Sequence, residues 1–452
     1  MSVDRRHFLA LSAATALSGT VASMAHAAPI SALGLDAAQF GLRPGSPDDQ
    51  SRALQRAVDE AARAQAPLAI APGVYRVGNI KLPAGAQLRG VRGATRLLFH
   101  DGPSLFSAEG ADRVTLTGLV LDGQWRRLPE RRGLVHLEKA RGLRIVDCEI
   151  AKAGGNAVHC IAVEGQVTDT TIADTLEVAI HSFDADRLLI ARNTIRGAGN
   201  NGIQVWREKP GDDGTIIADN RIERIDNRSG GSGQYGNAIN VFRAGNVIVR
   251  GNRIDNCAFT AVRGNAASNI HVEGNAITNT REVAIYSEFG FEGALIATNT
   301  IDGAAIGVSV TNFNEGGRLA VIQGNIVRNL FPKRPAGTDP GDGAGIGIAA
   351  EADTAITGNV IEAAPFAGIV LGFGHHLRDV AATGNVVRRA DIGVAVSVST
   401  GAGNALIANN MLSDVVRGAI VGMDRNRIVT GDLMRGGAEK YANLTISGNR
   451  VR

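Results

Sequence analysis

Three cysteines in 452 residues are too few to staple a chain of this length. Cys148, Cys160 and Cys257 form an odd set without metal-ligand spacing, which excludes a disulfide scaffold and leaves each as a small buried hydrophobe. Aromatic residues make up only 4% of the chain, against 57 glycines. That balance excludes a large core built around Phe and Trp and favours thin, stacked layers. Lys and Arg form no block, and the formal charge of +3 with a pI near 8.9 gives no footprint for a nucleic-acid partner. A polyanionic glycan fits the same balance. Beyond the first 27 residues no unbroken apolar run reaches membrane-spanning length, so a soluble mature chain without membrane insertion is expected.

Residues 1–27 stand apart from the rest. Asp4-Arg5-Arg6-His7-Phe8-Leu9 precedes a run of small apolar residues, and Ala25-His26-Ala27 is a small-x-small cleavage signal. The segment resembles a twin-arginine export signal, which implies a periplasmic protein cleaved near Ala27. Residues 28–80 are expected to form an N-terminal cap. Within it Ser46-Pro47-Asp48-Asp49 carries helix-start chemistry, with Ser46 as cap and Pro47 in the first turn. Leu54, Ala57, Val58, Ala61 and Ala62 then recur at helical spacing, giving one apolar face. Ala71-Pro72-Gly73-Val74-Tyr75-Arg76-Val77 turns into extended structure, and no further helix is expected.

Residues 81–452 are dominated by repetition. The pattern x-Asn-x-Ile/Val recurs with Asn193, Asn220, Asn252, Asn275, Asn299, Asn325, Asn359, Asn385 and Asn449, mostly at steps of 23 to 27 residues. That period, with short β-branched runs and no helix per unit, predicts a parallel β-solenoid. The asparagines are expected to stack as an internal ladder at a tight bend, where Asn tolerates left-handed backbone. Cys148 and Asp174 are expected to take the same slot in two earlier coils.

With its cap helix, APGVYRV strand, LTGLVLDG at 116–123 and Asn-bearing coils, the chain resembles the pectate-lyase-like superfamily over roughly residues 40–452. With the twin-arginine leader it is similar to exported bacterial β-helix repeat proteins of unassigned activity. The resemblance implies an all-β, single-stranded right-handed parallel β-helix with an N-terminal capping helix, but no particular activity.

Neighbours in a strand face opposite ways, so in Val178-Ala179-Ile180-His181-Ser182-Phe183 the residues Ile180 and Ser182 point inward and His181 and Phe183 outward. Alignment of the coils then predicts one outward row of His136, His159, His181, Gln204, Asn240, Arg263, Tyr286 and Ser309. It continues as Gly347, Val370, Ala395 and Val421, where polar character is lost. A second row reads Glu138, Ile161, Phe183, Trp206, Phe242, Asn265, Glu288 and Thr311. Aromatic faces beside amides describe a trough that stacks sugar rings and bonds hydroxyls. The inserted segments REKPGDDG, DNRSGGSGQYG and FPKRPAGTDPGDG are expected to overhang it.

These rows suggest chemistry on an acidic polysaccharide or oligosaccharide. His159 or His181 would be the base, its pKa lowered by neighbouring imidazoles, and Arg207 and Arg243 would clamp a uronate carboxylate. His136, Phe183, Asp184, Gln204, Trp206, Asn240, Phe242, Arg263, Tyr286 and Glu288 are the substrate-binding candidates, Tyr286 also as a loosely placed proton donor. That is the logic of a polysaccharide lyase or uronate epimerase. A glycoside hydrolase using Glu138 and Asp184 is the catalytic alternative, and a non-catalytic glycan-binding or envelope-structural protein is the alternative from another class. The motif sets of polygalacturonases and of classical pectate lyases are absent. No cofactor is expected: histidines in a straight line converge poorly on a tetrahedral metal, and GSGQYG at 231–236 lacks the βαβ unit of a nucleotide site.

Overall fold

The computed structural model describes residues 34–339 and 341–452, so the expected export leader at 1–27 lies outside the described residues. Each coil contributes short strands that pair in parallel with their equivalents one turn on. One continuous sheet of 16 strands runs from Leu35–Asp36 to Leu444–Ser447. The other faces merge into a second sheet that holds the row strands, among them Gly133–Glu138, Asn156–Ile161, Val178–Phe183 and Asn201–Asp212. Inward residues such as Ile145, Ile190, Ile217 and Val249 stack into one apolar core extending from Ala37 to Leu433. Burial of β-branched layers at about 25 cal/mol per Å² is what holds so thin a body together.

The capping helix runs Ser51–Arg63, later than the Ser46 start. Ser46 and Asp48 bond locally in a turn, while Gln50 accepts from the Arg43 N–H and donates to its carbonyl. Leu54, Ala57, Val58 and Ala61 are buried against the first coils as the spacing predicts. Strands from residue 35 already pair with solenoid coils, Leu68 aligning with Leu88, so cap and solenoid share one sheet.

The ladder is continuous. Each Asn gives both its backbone N–H and its Nδ2 to the Oδ1 of the next, at 2.9–3.0 Å from Asn193 through to Asn449. Nδ2 also reaches an inner carbonyl, as from Asn299 to Val272 at 2.9 Å. Three expectations change here. Asn410, hidden by its neighbour Asn409, is a further rung between Asn385 and Asn449. In the early coils Cys148 and Thr170 hold the slot; Asp174 lies on another corner. The left-handed residue is the one before each rung, such as Arg192, Asp219, Gly251 or Asn409, because the rung itself must aim its amide along the stack. All three cysteines are free and buried, and burial pushes the Cys148 thiol up to about 11 and Cys160 to about 12.

Candidate functional site

The outward row is in register across the row strands: His136 aligns with His159, His159 with His181, His181 with Gln204, and so through Asn240, Arg263 and Tyr286 to Ser309. The next member is Ala349 rather than Gly347, because the coil behind the 331–345 insertion re-enters the sheet two residues later than the spacing suggests. The second row also aligns, Phe183 with Trp206 and Trp206 with Phe242. Rings of the two rows meet edge to face, with His181 contacting both Phe183 and Trp206. His181 lies 5.5 Å from Trp206, and Trp206 5.8 Å from Phe242.

The histidines are more enclosed than an open outer row would be. His136 and His159 are buried, and His181 is half-buried with its Nε2 shielded. His136 Nδ1, His159 Nδ1 and His181 Nε2 have no protein partner. Burial, first of all, holds His136 down at about 4 and His181 at about 3; Arg132 and His159 add to the first, His159 and Arg131 to the second. Burial also lowers His159, opposed by the main chain of Arg131. The imidazoles are therefore neutral near pH 7, for a reason other than mutual repulsion: neighbouring imidazole charge is a secondary contribution.

The polar candidates are engaged within the protein. Arg207 Nη1 donates to the Ala185 carbonyl at 3.2 Å and stands 3.8 Å from buried Asp213. Arg243 Nη1 donates to the Glu208 carbonyl at 2.7 Å, its guanidinium 4.6 Å above the Phe242 ring. Asp184 accepts from the Glu208 N–H at 3.0 Å, and Glu138 pairs with Lys139 at 2.9 Å. Gln204 and Asn240 donate to the carbonyls of Gln234 and Gly233, tying down the 226–236 insertion, while Asn240 Oδ1 accepts from Trp206 Nε1 at 2.7 Å. REKPGDDG is largely a strand extension, with an irregularity between Trp206 and Gly211.

Arg263 anchors a buried charge network. It meets Glu288 with two bonds of 2.6 and 2.8 Å and approaches Glu282 at 3.4 Å. Glu282 reaches Arg334 at 3.2 Å, and Arg334 reaches Asp342 at 2.8 Å, so the network pins the 331–345 insertion over the row. Tyr286 lies beneath the Arg263 guanidinium at 4.9 Å, and burial, with the Glu288 charge, pushes its phenol up to about 12.

Beyond Tyr286 the row opens into a cavity of about 420 Å³. Its floor is Ile346, Ala349, Val370 and Ala395, with Tyr286, Phe366 and Phe373 around it. Asp342 and Arg334 stand on one wall; Asn312, Glu351 and Arg425 line the remainder. Glu351 accepts from the Phe313 N–H at 2.8 Å, yet burial keeps its pKa above the usual carboxylate range. Sequence reasoning missed this cavity because its floor reads as lost polarity; the signal was the long insertion ending at Gly345, directly before the apolar row.

The family description "Right handed beta helix region" matches residues 156–329 and 211–412, together more than half of the chain. The chain belongs to the right-handed β-helix family. No curated protein matches it in sequence. Solved β-helices similar to it include the tailspike protein of E. coli bacteriophage HK620 in complex with a pentasaccharide. That likeness has a TM-score of 0.55 and 9% identity, covering 93% of this chain and 79% of the tailspike. An N-terminal fragment of bacteriophage phi29 gene product 12 has a TM-score of 0.52 and 13% identity, with 93% and 71% covered. PfbA, a surface adhesin of Streptococcus pneumoniae, has a TM-score of 0.50 and 16% identity, with 87% and 93% covered. At these identities the β-helix likeness is one of fold. Among the described residues of this β-helix, no helix is long and apolar enough to cross a membrane.

Proposed function

We propose that this chain is a carbohydrate-binding β-helix protein that takes a saccharide in the cavity beyond Tyr286. The observation carrying this reading is the cavity itself: about 420 Å³, within the range of small-ligand sites, over an apolar floor with a few convergent polar groups. Phe366 and Phe373 offer ring faces to a sugar, and Asn312, Asp342, Glu351 and Arg425 offer partners for its hydroxyls. The pentasaccharide of the HK620 tailspike supports the ligand class. With the leader read from residues 1–27, the place of action is the periplasm.

The test is titration with a panel of neutral and uronate oligosaccharides, followed calorimetrically, for the native chain, Val370→Trp and Glu351→Gln. Val370→Trp fills the floor and is expected to abolish binding; Glu351→Gln is expected to weaken it about tenfold. Unchanged affinity in Val370→Trp would remove the cavity as the site.

A second reading draws on the neutral, partnerless Nε2 of His181. It is a lyase or uronate epimerase in which His181 or His159 abstracts the proton beside a uronate carboxylate. His181 Nε2, now shielded, would have to open to a substrate, and Arg207 and Arg243 would have to leave the carbonyls they now hold, so binding without turnover is the favoured reading. Ultraviolet absorbance of unsaturated products, with solvent proton exchange as the check for epimerisation, decides it. A signal lost in His181→Ala would make the chain an enzyme.

A further inference from the structure

The segment between Asp122 and Gly133 carries Arg126, Arg127, Arg131 and Arg132 with Trp125, against one acidic residue, Glu130. It leaves the solenoid at the corner before the first histidine strand, the same corner from which the 226–236 and 331–345 insertions leave. Arg126, Arg127 and Arg131 are exposed and Arg132 is half-buried. Among the described residues none of the four forms an ion pair. Neighbouring acids are occupied elsewhere, Asp122 by Arg96 and Lys152 and Glu138 by Lys139. Trp125 is 46% exposed, unusual for the largest apolar side chain.

The segment is held rather than loose. The Gln124 N–H donates to Asp122 Oδ1 at 3.0 Å, the Trp125 N–H to the Lys152 carbonyl at 2.9 Å, and the Arg132 N–H to the Pro129 carbonyl at 3.2 Å. Leu128 is buried against Gly155. Arg127 bridges to Gly154, where a Cβ would fall 2.0 Å from the Arg126 carbonyl oxygen, so only glycine lets the segment lie this close. Four like charges so fixed repel one another and gain by meeting an opposite charge.

We propose that residues 124–132 form a binding surface for a polyanionic glycan, a saccharide chain bearing carboxylate or sulfate groups. The arginines meet the anionic groups with their planar donor forks, and Trp125 supplies the face on which a sugar ring stacks. A nucleic acid fits less well. Single strands are held by successive aromatic platforms along an extended basic groove, whereas this patch has one exposed aromatic and a chain otherwise near charge balance. The surface does not rest on the cavity: six coils separate His136 from Tyr286 along the row, roughly 29 Å at about 4.8 Å per coil.

The experiment is titration of the full chain with polygalacturonate, dextran sulfate, neutral dextran and single-stranded DNA at low salt and at 0.5 M NaCl. The chain is expected to bind at least one of the two acidic glycans more tightly than neutral dextran, and to lose that affinity with salt. The variant R126Q/R127Q/R131Q/R132Q is expected to weaken that binding at least tenfold, with its thermal unfolding unchanged. The four-lysine counterpart should recover most of the binding, and the tenfold difference should persist when the arginine and glutamine forms both carry Val370→Trp, which takes the cavity out of the comparison. Failure of the native chain to bind either acidic glycan, equal binding by the glutamine variant, or tighter binding of DNA than of glycan would each overturn the proposal.

Discussion

The imidazole rings of His159 and His181 lie parallel, 4.7 Å apart with 2° between their planes, and neither ring finds a protein partner for its buried free nitrogen. Such a stack is stable only while neutral. A histidine whose folded pKa is depressed binds a proton more readily when unfolded, so stability falls as pH drops below about 6.5. The decline continues to the folded values, about 4 for His136 and about 3 for His181. At about 1.4 kcal/mol per unit, the full acid loss is expected to reach roughly 3 kcal/mol for His136 and roughly 5 kcal/mol for His181. Denaturant unfolding at pH 7 and pH 4 should show a smaller difference in His136→Asn than in the native chain. An equal difference would mean that the row titrates normally.

The Asn ladder should weaken toward its end. Asn299 is fully enclosed, so Asn299→Ala strands a neighbouring N–H and amide that water cannot reach. The expected cost is about 3 kcal/mol, from roughly 1–3 kcal/mol per orphaned group. Asn449 lies partly open to solvent, and Asn449→Ala should cost about 1 kcal/mol. Guanidinium midpoints of the two variants compare them directly.

Arg263 bridges Glu282 and Glu288, and of the two Glu282 also holds Arg334 as a second cation. Arg263→Met leaves buried Glu288 without its cation and is expected to destabilise the fold by about 3–5 kcal/mol. The double variant R263M/E288M should recover a large part of that loss, because it removes the stranded charge. A double variant no more stable than the single would contradict this account of the network.

Gln204 and Asn240 help to hold the 226–236 insertion, each with a bond to the Gln234 or Gly233 carbonyl that Asn201 or Asn237 also meets. Asn240→Ala removes one tie and also strands the Trp206 Nε1–H. Trypsin should then cut at exposed Arg228 several-fold faster than in the native chain, with mass spectrometry locating the cut. Cleavage at an unchanged rate would mean that the ties from Asn200, Asn201 and Asn237 hold the insertion without Asn240.

The solenoid, its period, the inward and outward sides of each row strand, and nine of the ladder asparagines were legible from residue order alone. Each is a local property repeated many times, alternation at period two and a coil length between similar turns, and repetition makes a weak local signal unmistakable. The helix start at Ser51, the Ala349 register and the Thr170 rung depended on single coils where one bend or insertion shifts the phase, and no repeat corrects them. The state of the row lay further from reach. Whether Gln204 and Arg243 stand free or bind carbonyls, and whether the apolar floor at Val370 is bare wall or the base of a cavity, depends on where the inserted segments come to rest. Those positions are set by contacts between residues far apart in the chain, such as Arg334 with Glu282, which short-range pattern does not encode.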